Sequence, residues 1–316
     1  AFIFVANTLI KKFNMSNNEN ELLTMPFFHS FGLTRLRCIL LSGSRSIISD
    51  GLKSFPEIFK ISREYRITGL SLVPAGIIII KNLLRKKITE FSKNIKYFEI
   101  GSSALDSDTR KWLQNNFSST KILHHYGMTE ASRAFLRDIL SKESLMMPDN
   151  WIGDPIDGCE FKLDLVKKKN SLDVSIGELL VKGPNLFKEY TNKNIYKKKV
   201  IDGWFRSGDV CKIENDKVLI VGRIDNQFNI GGQKIHGEII EKIIEEISLV
   251  KYCLCFKIDD KKNGEQINCI VELKNKLKSK DCLKEIKNKF IDKPNYYRPS
   301  KIFFKKVMLT SNGKKK

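Results

Sequence analysis

GWFRSGDV (203–210), followed by VLIVGRIDNQFNIGGQKIHGEIIE (218–241), is where the chain stops looking generic. It is dense in glycine, and its Arg and Asp residues stand at turn positions rather than along an amphipathic face. Residues 218–221 read as a buried strand that Gly222 breaks. Arg223 and Asp225 then stand at its mouth, where side chains can converge on a ligand. Gly231 and Gly232 leave bare backbone ahead of a helix expected over about 236–247, so a narrow ligand can approach closely there. A strand, a tight turn and a helix without any ligand fit the same letters, because Gly-Gly turns are common. The stretch is expected to join a large sheet-bearing body to a small C-terminal lid.

Upstream, helical and strand periods alternate. Residues 68–74 form a short apolar strand closed by proline, with a helix over 75–86. A strand over 96–100 runs into Gly101, Ser102, Ser103, Ala104 and Leu105 and then a helix over 108–117. Strand, small-residue turn, helix is the arrangement that gathers ligands at the carboxyl ends of sheet strands. It is equally that of a plain helix N-cap cluster. The next strand, 121–123, leads into His124, His125, Tyr126, Gly127, Met128, Thr129 and Glu130. Here Tyr126 offers a flat ring, Thr129 a hydroxyl for a phosphate and Glu130 a hard carboxylate oxygen for Mg²⁺, although such residues also simply close turns. His124 and His125 point to opposite faces of a strand and make no metal pair. Asp209, after Ser207 and Gly208, can accept two hydrogen bonds from a vicinal diol or close a turn.

Length and composition set the frame. A chain of 316 residues with 41% hydrophobic content is long enough for more than one domain. No apolar run reaches the ~20 residues of a membrane-spanning helix. A formal charge of +20 raises nucleic acid or an anionic surface as partners, but the lysines are scattered without aromatic interleaving, which argues against nucleic acid. Seven cysteines lack C-x-x-C spacing, and Cys253 and Cys255 alternate along one strand as core residues. The expectation is a reducing, cytoplasmic compartment and no zinc. The opening AFIFVANTLI lacks the features of a signal peptide and reads as a cut.

Taken together, W-x-x-S-G-D at 204–209, G-R-x-D at 222–225, the Gly-containing turn after it and YGMTE at 126–130 resemble the adenylate-forming, AMP-binding superfamily of acyl-CoA synthetases, adenylation domains and luciferase. The resemblance implies an α/β fold. An incomplete large domain (1–222) of parallel sheets with helices and a distorted β-barrel would precede a small α+β lid (223–316) that hinges near Asp225. The barrel corresponds to residues from Trp151 onward.

The resemblance further implies roles for single residues. Pro26 to Gly32 fills the P-x-F-H-x-x-G turn after a helix over 1–25, placing His29 beside the acyl pocket, though a lone histidine among aromatics is also an ordinary packed one. Ser102, Ser103 and Ala104 stand where the family's G-G-[AS]-x-L turn lines the adenine. Tyr126, Gly127 and Thr129 would hold the nucleotide, Glu130 Mg²⁺, and Asp209 and Arg223 the ribose side. Gly231 and Gly232 would line the CoA channel. Leu309 to Lys314 resembles the closing L-P-x-T-x-x-G-K, with Lys314 reaching the reacting carboxylate and phosphate; otherwise Lys314 is part of a solvated tail.

Departures are equally plain. The Ser/Thr/Gly-rich phosphate loop ending in Pro-Lys, which precedes the P-x-F-H turn in the family, is absent from this sequence. Gly237 stands in a proline position and Ile239 where a glutamate is usual, while Glu241 keeps the second glutamate. The implied chemistry is ATP-dependent activation of a carboxylic acid, of fatty-acyl type by resemblance, to acyl-AMP, followed by transfer to CoA. The phosphopantetheine of an acyl carrier protein is an alternative acceptor. A different class, an inactive remnant or a basic nucleic-acid-binding module, would follow from the charge and the missing loop.

Overall fold

The computed structural model describes residues 1–51, 56–168, 175–230, 233–260, 264–275, 278–310 and 315. Strands β1 (Asn20–Leu23), β2 (Arg45–Ile48), β3 (Gly69–Leu72), β4 (Tyr97–Ile100), β5 (Lys121–Tyr126), β6 (Phe135–Asp138) and β7 (Asp154–Pro155) form the first sheet, in the order β2-β1-β3-β4-β5-β6-β7. The first five are mutually parallel, and β6 and β7 add antiparallel. Helices α1 (Phe2–Phe13), α2 (Ser30–Ser42), α3 (Ile58–Glu64), α4 (Pro74–Leu84), α5 (Ile88–Ser92), α6 (Ser107–Asn116) and α7 (Lys142–Met146) surround or connect these strands.

Period-two alternation decides what each face of this sheet meets. Leu22, Leu70, Phe98 and Ile122 face a core that includes Ile77 and Ile80 of α4 and Leu113 of α6. Their neighbours Leu23, Tyr97 and Leu123 face Val5 and Leu9 of α1 and Cys38 and Ile39 of α2. A helix over the whole of 1–25 does not form. Asn14 takes a left-handed conformation (φ 52°) and its amide closes onto the Ile10 and Lys11 carbonyls, ending α1 so that the chain can return as β1. Pro74 opens α4 in the first turn, where its missing N–H costs nothing.

The α1/α2 face carries a buried charged lane. Glu21 of β1 accepts from Arg35 Nη2 at 2.6 Å, Ser71 Oγ at 2.6 Å and Tyr97 Oη at 2.8 Å. Glu99 of β4 accepts from Arg35 Nη1 at 3.2 Å and Arg133 Nε at 2.8 Å, with His125 Nδ1 at 2.7 Å. Burial alone would raise Glu99, but Arg133, His125 and Arg35 outweigh it and hold the carboxyl well below the usual carboxylate range. Leu70 and Leu72 look apolar in the sequence, yet Gly69 and Ser71, which alternate with them, serve this lane: a β-carbon on Gly69 would overlap the Tyr97 ring.

The second sheet contains β8 (Glu160–Lys168), β9 (Ser175–Lys182), β10 (Val200–Ile201), β11 (Trp204–Glu214) and β12 (Lys217–Arg223), all antiparallel. It stands where the resemblance places a distorted barrel, with the path β10-β11-β9-β8 and β12 beside β11. α8 (Lys193–Lys199) precedes β10. Gly222 does not break β12, which continues to Arg223. Its missing side chain instead makes room for His236 Cβ, which a β-carbon at Gly222 would meet at 2.7 Å.

The third sheet holds β13 (Gln227–Ile230), β14 (Gln233–His236), β15 (Val250–Asp260), β16 (Gly264–Leu273) and β17 (Lys301–Phe304), covered by α9 (Gly237–Glu245) and α10 (Ser279–Lys289). The β13–β14 pair ahead of the expected helix is absent from the sequence reading, because its four-residue strands alternate only weakly. Cys253, Cys255, Cys269 and Cys282 all lie in this sheet's core, as alternation predicts for the first two. Among the described residues, no helix is long and apolar enough to cross a membrane.

Removing one partner from a buried ion network leaves uncompensated charge, so Glu99→Gln is expected to cost about 3–5 kcal/mol. The measurement is the shift of the urea midpoint at constant slope; a loss under about 1 kcal/mol would contradict the role given to the lane.

Candidate functional site

Three loops leave the carboxyl ends of parallel strands of the first sheet, one after β1 and two after the adjacent strands β4 and β5. After β1 comes the Pro26–Gly32 turn, which packs so closely that a β-carbon on Gly32 would collide with the Met25 carbonyl. His29 caps the start of α2 with extended backbone and stacks beside Phe28 at 4.5 Å between ring centroids. Arg133 ties this turn to the sheet by donating to the carbonyls of Ser30 (3.3 Å) and Phe31 (3.2 Å). Phe31 in turn meets the His125 ring edge-on at 4.7 Å.

After β4 comes the turn from Gly101 to Leu105. A β-carbon on Gly101 would overlap the His125 ring. Ser102 has φ 87°, a left-handed value unusual for a residue with a side chain, and its buried hydroxyl has no hydrogen-bond partner among the described residues. The cap of α6 is Asp106, whose carboxylate accepts from Thr109 N at 2.8 Å, so Ser102, Ser103 and Ala104 are free of that duty. Ser103 and Ala104 are exposed, and the Ser103 carbonyl pairs with His124 Nε2 at 2.9 Å. His124 and His125 therefore do face apart, one toward the Ser103 carbonyl and one toward Glu99. Burial and the neighbouring His125 push His124 down to about 3.

After β5 comes Gly127, where a β-carbon would lie 2.9 Å from the Ala131 carbonyl. β5 itself runs three residues beyond the expected end, carrying Tyr126 to its tip. Thr129 is exposed. Glu130 accepts from Tyr190 Oη at 2.5 Å, and its carbonyl accepts from the Phe187 amide at 2.8 Å.

Asp209 comes to this edge from the second sheet. Between Arg206 and Val210 the pairing of β11 with β9 slips, and Gly208 takes φ 78°. That bulge re-aims the strand. The Gly208 amide donates to Glu178 Oε1 at 3.0 Å, and Arg206 is paired with both Glu178 and Asp164. The Asp209 carboxylate then receives the Tyr126 hydroxyl on Oδ2 and Arg223 Nη1 on Oδ1 at 2.8 Å. Arg223 stands directly opposite Asp209 in the β11–β12 register and also donates from Nε to Asp225 Oδ1 at 2.9 Å. Burial and the Asp209 charge drive the Tyr126 phenol well above its ordinary range, so it remains a donor. Burial opposes the charge on Asp225, but Arg223 outweighs it and lowers the carboxyl.

Tyr126, Asp209, Arg223 and Asp225, spread over about a hundred positions of sequence, thus form one hydrogen-bonded chain that begins next to Gly127. Lys314, Gly231 and Gly232 lie outside the described residues. Lys315 is anchored within the third sheet's layer: its ammonium meets Glu241, Glu245 Oε1 at 3.0 Å and the Cys253 carbonyl at 2.7 Å. Tyr190 and His236 have no role in the sequence reading, and Glu178 stands in it only among the residues of the barrel scaffold. His236 packs on Gly222 with Nδ1 3.2 Å from the Arg223 carbonyl, just before Asp225. Glu178 faces Arg206 across adjacent strands, a charge alternation that could have been read; Tyr190 gives no local signal.

The family profile described as AMP-binding enzyme matches residues 2–191. Oxalate–CoA ligase of Arabidopsis thaliana is 26% identical over 264 residues, covering 82% of this chain and 51% of that protein. Acyl-CoA synthetase 7 of Caenorhabditis elegans is 27% identical over 306 residues, covering 93% and 54%. The solved o-succinylbenzoate coenzyme A synthetase of Bacillus subtilis in complex with AMP superposes with a TM-score of 0.81 at 18% identity, over 99% of this chain and 63% of that one. Its complex with ATP and magnesium gives 0.78 at 20% identity, with coverages of 99% and 63%. The chain spans about half the length of these two curated relatives.

Two outcomes follow from the loop geometry. Ser102→Gly relieves left-handed backbone and removes an unpaired buried hydroxyl, and should stabilise the fold by about 1 kcal/mol in urea denaturation. Destabilisation would show that the hydroxyl is satisfied in solution. His124 remains neutral in the fold below its ordinary value of 6.5, so its stabilising contribution is complete above that pH and is lost as pH falls toward about 3. The fall in melting temperature across this window should be shallower in His124→Gln; an unchanged slope would contradict the burial of the neutral ring.

Proposed function

The chain belongs to the AMP-binding enzyme family, and from that premise we propose that it carries the nucleotide-edge and lid portions of an ATP-dependent acid–thiol ligase that makes acyl-AMP and then a thioester with CoA. The observation that supports this most strongly is the Asp209 carboxylate, its side chain 13% exposed, steadied by Tyr126 and Arg223. A carboxylate so held is preorganised to accept two hydrogen bonds from the ribose hydroxyls of a nucleotide. The coenzyme A ligases among its relatives and the ATP-, AMP- and magnesium-bound solved synthetase support the same reading.

The other residues take their roles around it. Ser102, with its unpaired buried hydroxyl, Ser103 and Ala104 would form the adenine edge, with the Tyr126 ring as the flat surface beside it. Gly127 keeps the backbone slim where the phosphates pass, and Thr129 would donate its exposed hydroxyl to the α-phosphate. Glu130 would hold Mg²⁺ through the oxygen that Tyr190 leaves open, a hard oxygen ligand suited to that ion. Bound there, Mg²⁺ would supply positive charge against the departing pyrophosphate. His29 would border the carboxylic acid, and Lys314 would donate to the developing charge.

Adenylation is chiefly positioning and charge, since the acid's oxygen must meet the α-phosphorus in line as pyrophosphate leaves. Asp225 would be the hinge between a large domain ending near Gly222 and a lid beginning at Arg223. In the second pose, Gly231 and Gly232 would face the phosphopantetheine arm. CoA is the proposed acceptor; a carrier protein's phosphopantetheine is the alternative.

ATP–pyrophosphate exchange over a panel of carboxylic acids tests the proposal. Asp209→Ala is expected to lower exchange at limiting ATP by about tenfold or more, since hydrogen bonds to a charged group are worth roughly 1.5–3 kcal/mol each. An unchanged dependence on ATP would remove Asp209 from the ribose site. AMP release that depends on CoA, set against release that depends on an acyl carrier protein, separates the two acceptors.

A further inference from the structure

The third sheet's core contains a feature that the adenylation reading does not use. Cys253 and Cys255 lie two apart on β15, and Cys269 of β16 stands directly opposite Cys255 in the antiparallel register. All three are buried, with exposures of 0%, 4% and 0%. Their sulfur atoms all lie within 4.8 Å of one another, and the Cys255 and Cys269 sulfurs are 3.4 Å apart. Absence of C-x-x-C spacing hides this triangle in the sequence, because two of its corners come from a C-x-C pair and the third from the neighbouring strand.

We propose that Cys253, Cys255 and Cys269 form a three-thiolate site for a soft closed-shell metal ion, with Cu(I) as the ion its coordination number favours. A trigonal thiolate set with metal–sulfur bonds of about 2.3 Å has sulfur–sulfur edges of about 4 Å, which falls between the two limits set by these sulfurs. Thiolate ligands select Cu(I) and zinc among the common ions, and structural zinc takes four ligands. Among the described residues, no fourth Cys, His, Asp or Glu ligand atom joins the triangle. Cys282 lies in the same core but outside it.

The backbone is fixed around the sulfurs in the way outer partners fix metal ligands. The Cys253 amide donates to Glu245 Oε1 at 2.7 Å, and the Cys255 amide donates to Glu241 Oε1 at 2.8 Å. Lys315 Nζ donates to the Cys253 carbonyl at 2.7 Å and pairs with both carboxylates. These bonds clamp β15 at its two thiol-bearing residues, so the sulfurs are aimed before any ion arrives. Each thiol that coordinates releases its proton, so loading weakens as pH falls.

The test uses the full chain, expressed in medium supplemented with copper or with zinc, purified anaerobically under reducing conditions and passed over a desalting column with a competing Cu(I) chelator. Elemental analysis is expected to find one copper per chain, and X-ray absorption a copper bound by three sulfurs. Cys255→Ala and Cys269→Ala should reduce retained copper at least about tenfold, while Cys282→Ala retains it. Where an alanine variant loses its native far-UV spectrum, the volume-keeping valine variant at the same position is measured instead. A natural chain that is folded, fully reduced and free of both metals would overturn the proposal, and the three cysteines would then be small core hydrophobes only. Copper retained equally by the Cys255 and Cys269 variants would also overturn it. Retention of zinc with four light or sulfur neighbours, and no retention of copper, would contradict the three-coordinate assignment.

Discussion

The ion network of Glu21, Arg35, Glu99, Arg133 and His125 is the constraint on which the rest of the large body depends. Four of these groups lie within the first sheet or on α2, and all are closed from water or nearly so. Charges buried in this way must be fully partnered to be tolerated. Satisfying Arg133 requires the carbonyls of Ser30 and Phe31, so the turn bearing His29 is held to the sheet by the same guanidinium that neutralises Glu99. Seating the His125 ring requires Gly101 to lack a side chain, which draws the turn after β4 close to β5. The network therefore sets the spacing of the loops from below.

Above it, a second and more exposed chain of charge joins the sheets. Tyr126, Asp209, Arg223 and Asp225 link the tip of β5 to the end of β12, where the third sheet's strands begin. Asp225 is exposed and shares one arginine with Asp209. In the proposed hinge motion, a swing at this position would exchange that pairing for solvent at modest cost, since exposed pairs contribute little. His236, lodged against Gly222, fixes the start of α9 on the other side of the same joint.

Much of this was legible in the sequence because the elements are punctuated by residues with one physical use each. Pro74 and Gly101 marked helix and turn boundaries that the structure keeps to within a residue or two. Tyr126, Asp209, Arg223 and Asp225 each stand out in the sequence, and the β11–β12 register sets Arg223 opposite Asp209. The charged lane is not legible, because Glu21 and Glu99 sit among apolar residues of four-residue strands and their partners are 14 to 76 positions away. Gly222 was misread for a related reason: a glycine inside a strand signals either an end or a close neighbour, and only the fold supplies His236. The hairpin of β13 and β14 was missed because strands of four residues show too little alternation to distinguish from a turn.

The proposed role of Asp209, steadied by Tyr126 and Arg223, is to receive a ribose diol. Calorimetric titration of the chain with AMP and with its 2′,3′-dideoxy analogue, alongside the same pair of titrations on Asp209→Ala, tests this role. The account predicts that the natural chain prefers AMP by about tenfold or more, in keeping with charge-assisted hydrogen bonds, and that the preference vanishes in the variant. Equal affinity of the natural chain for the two nucleotides, or a preference that survives the loss of the carboxylate, would contradict it.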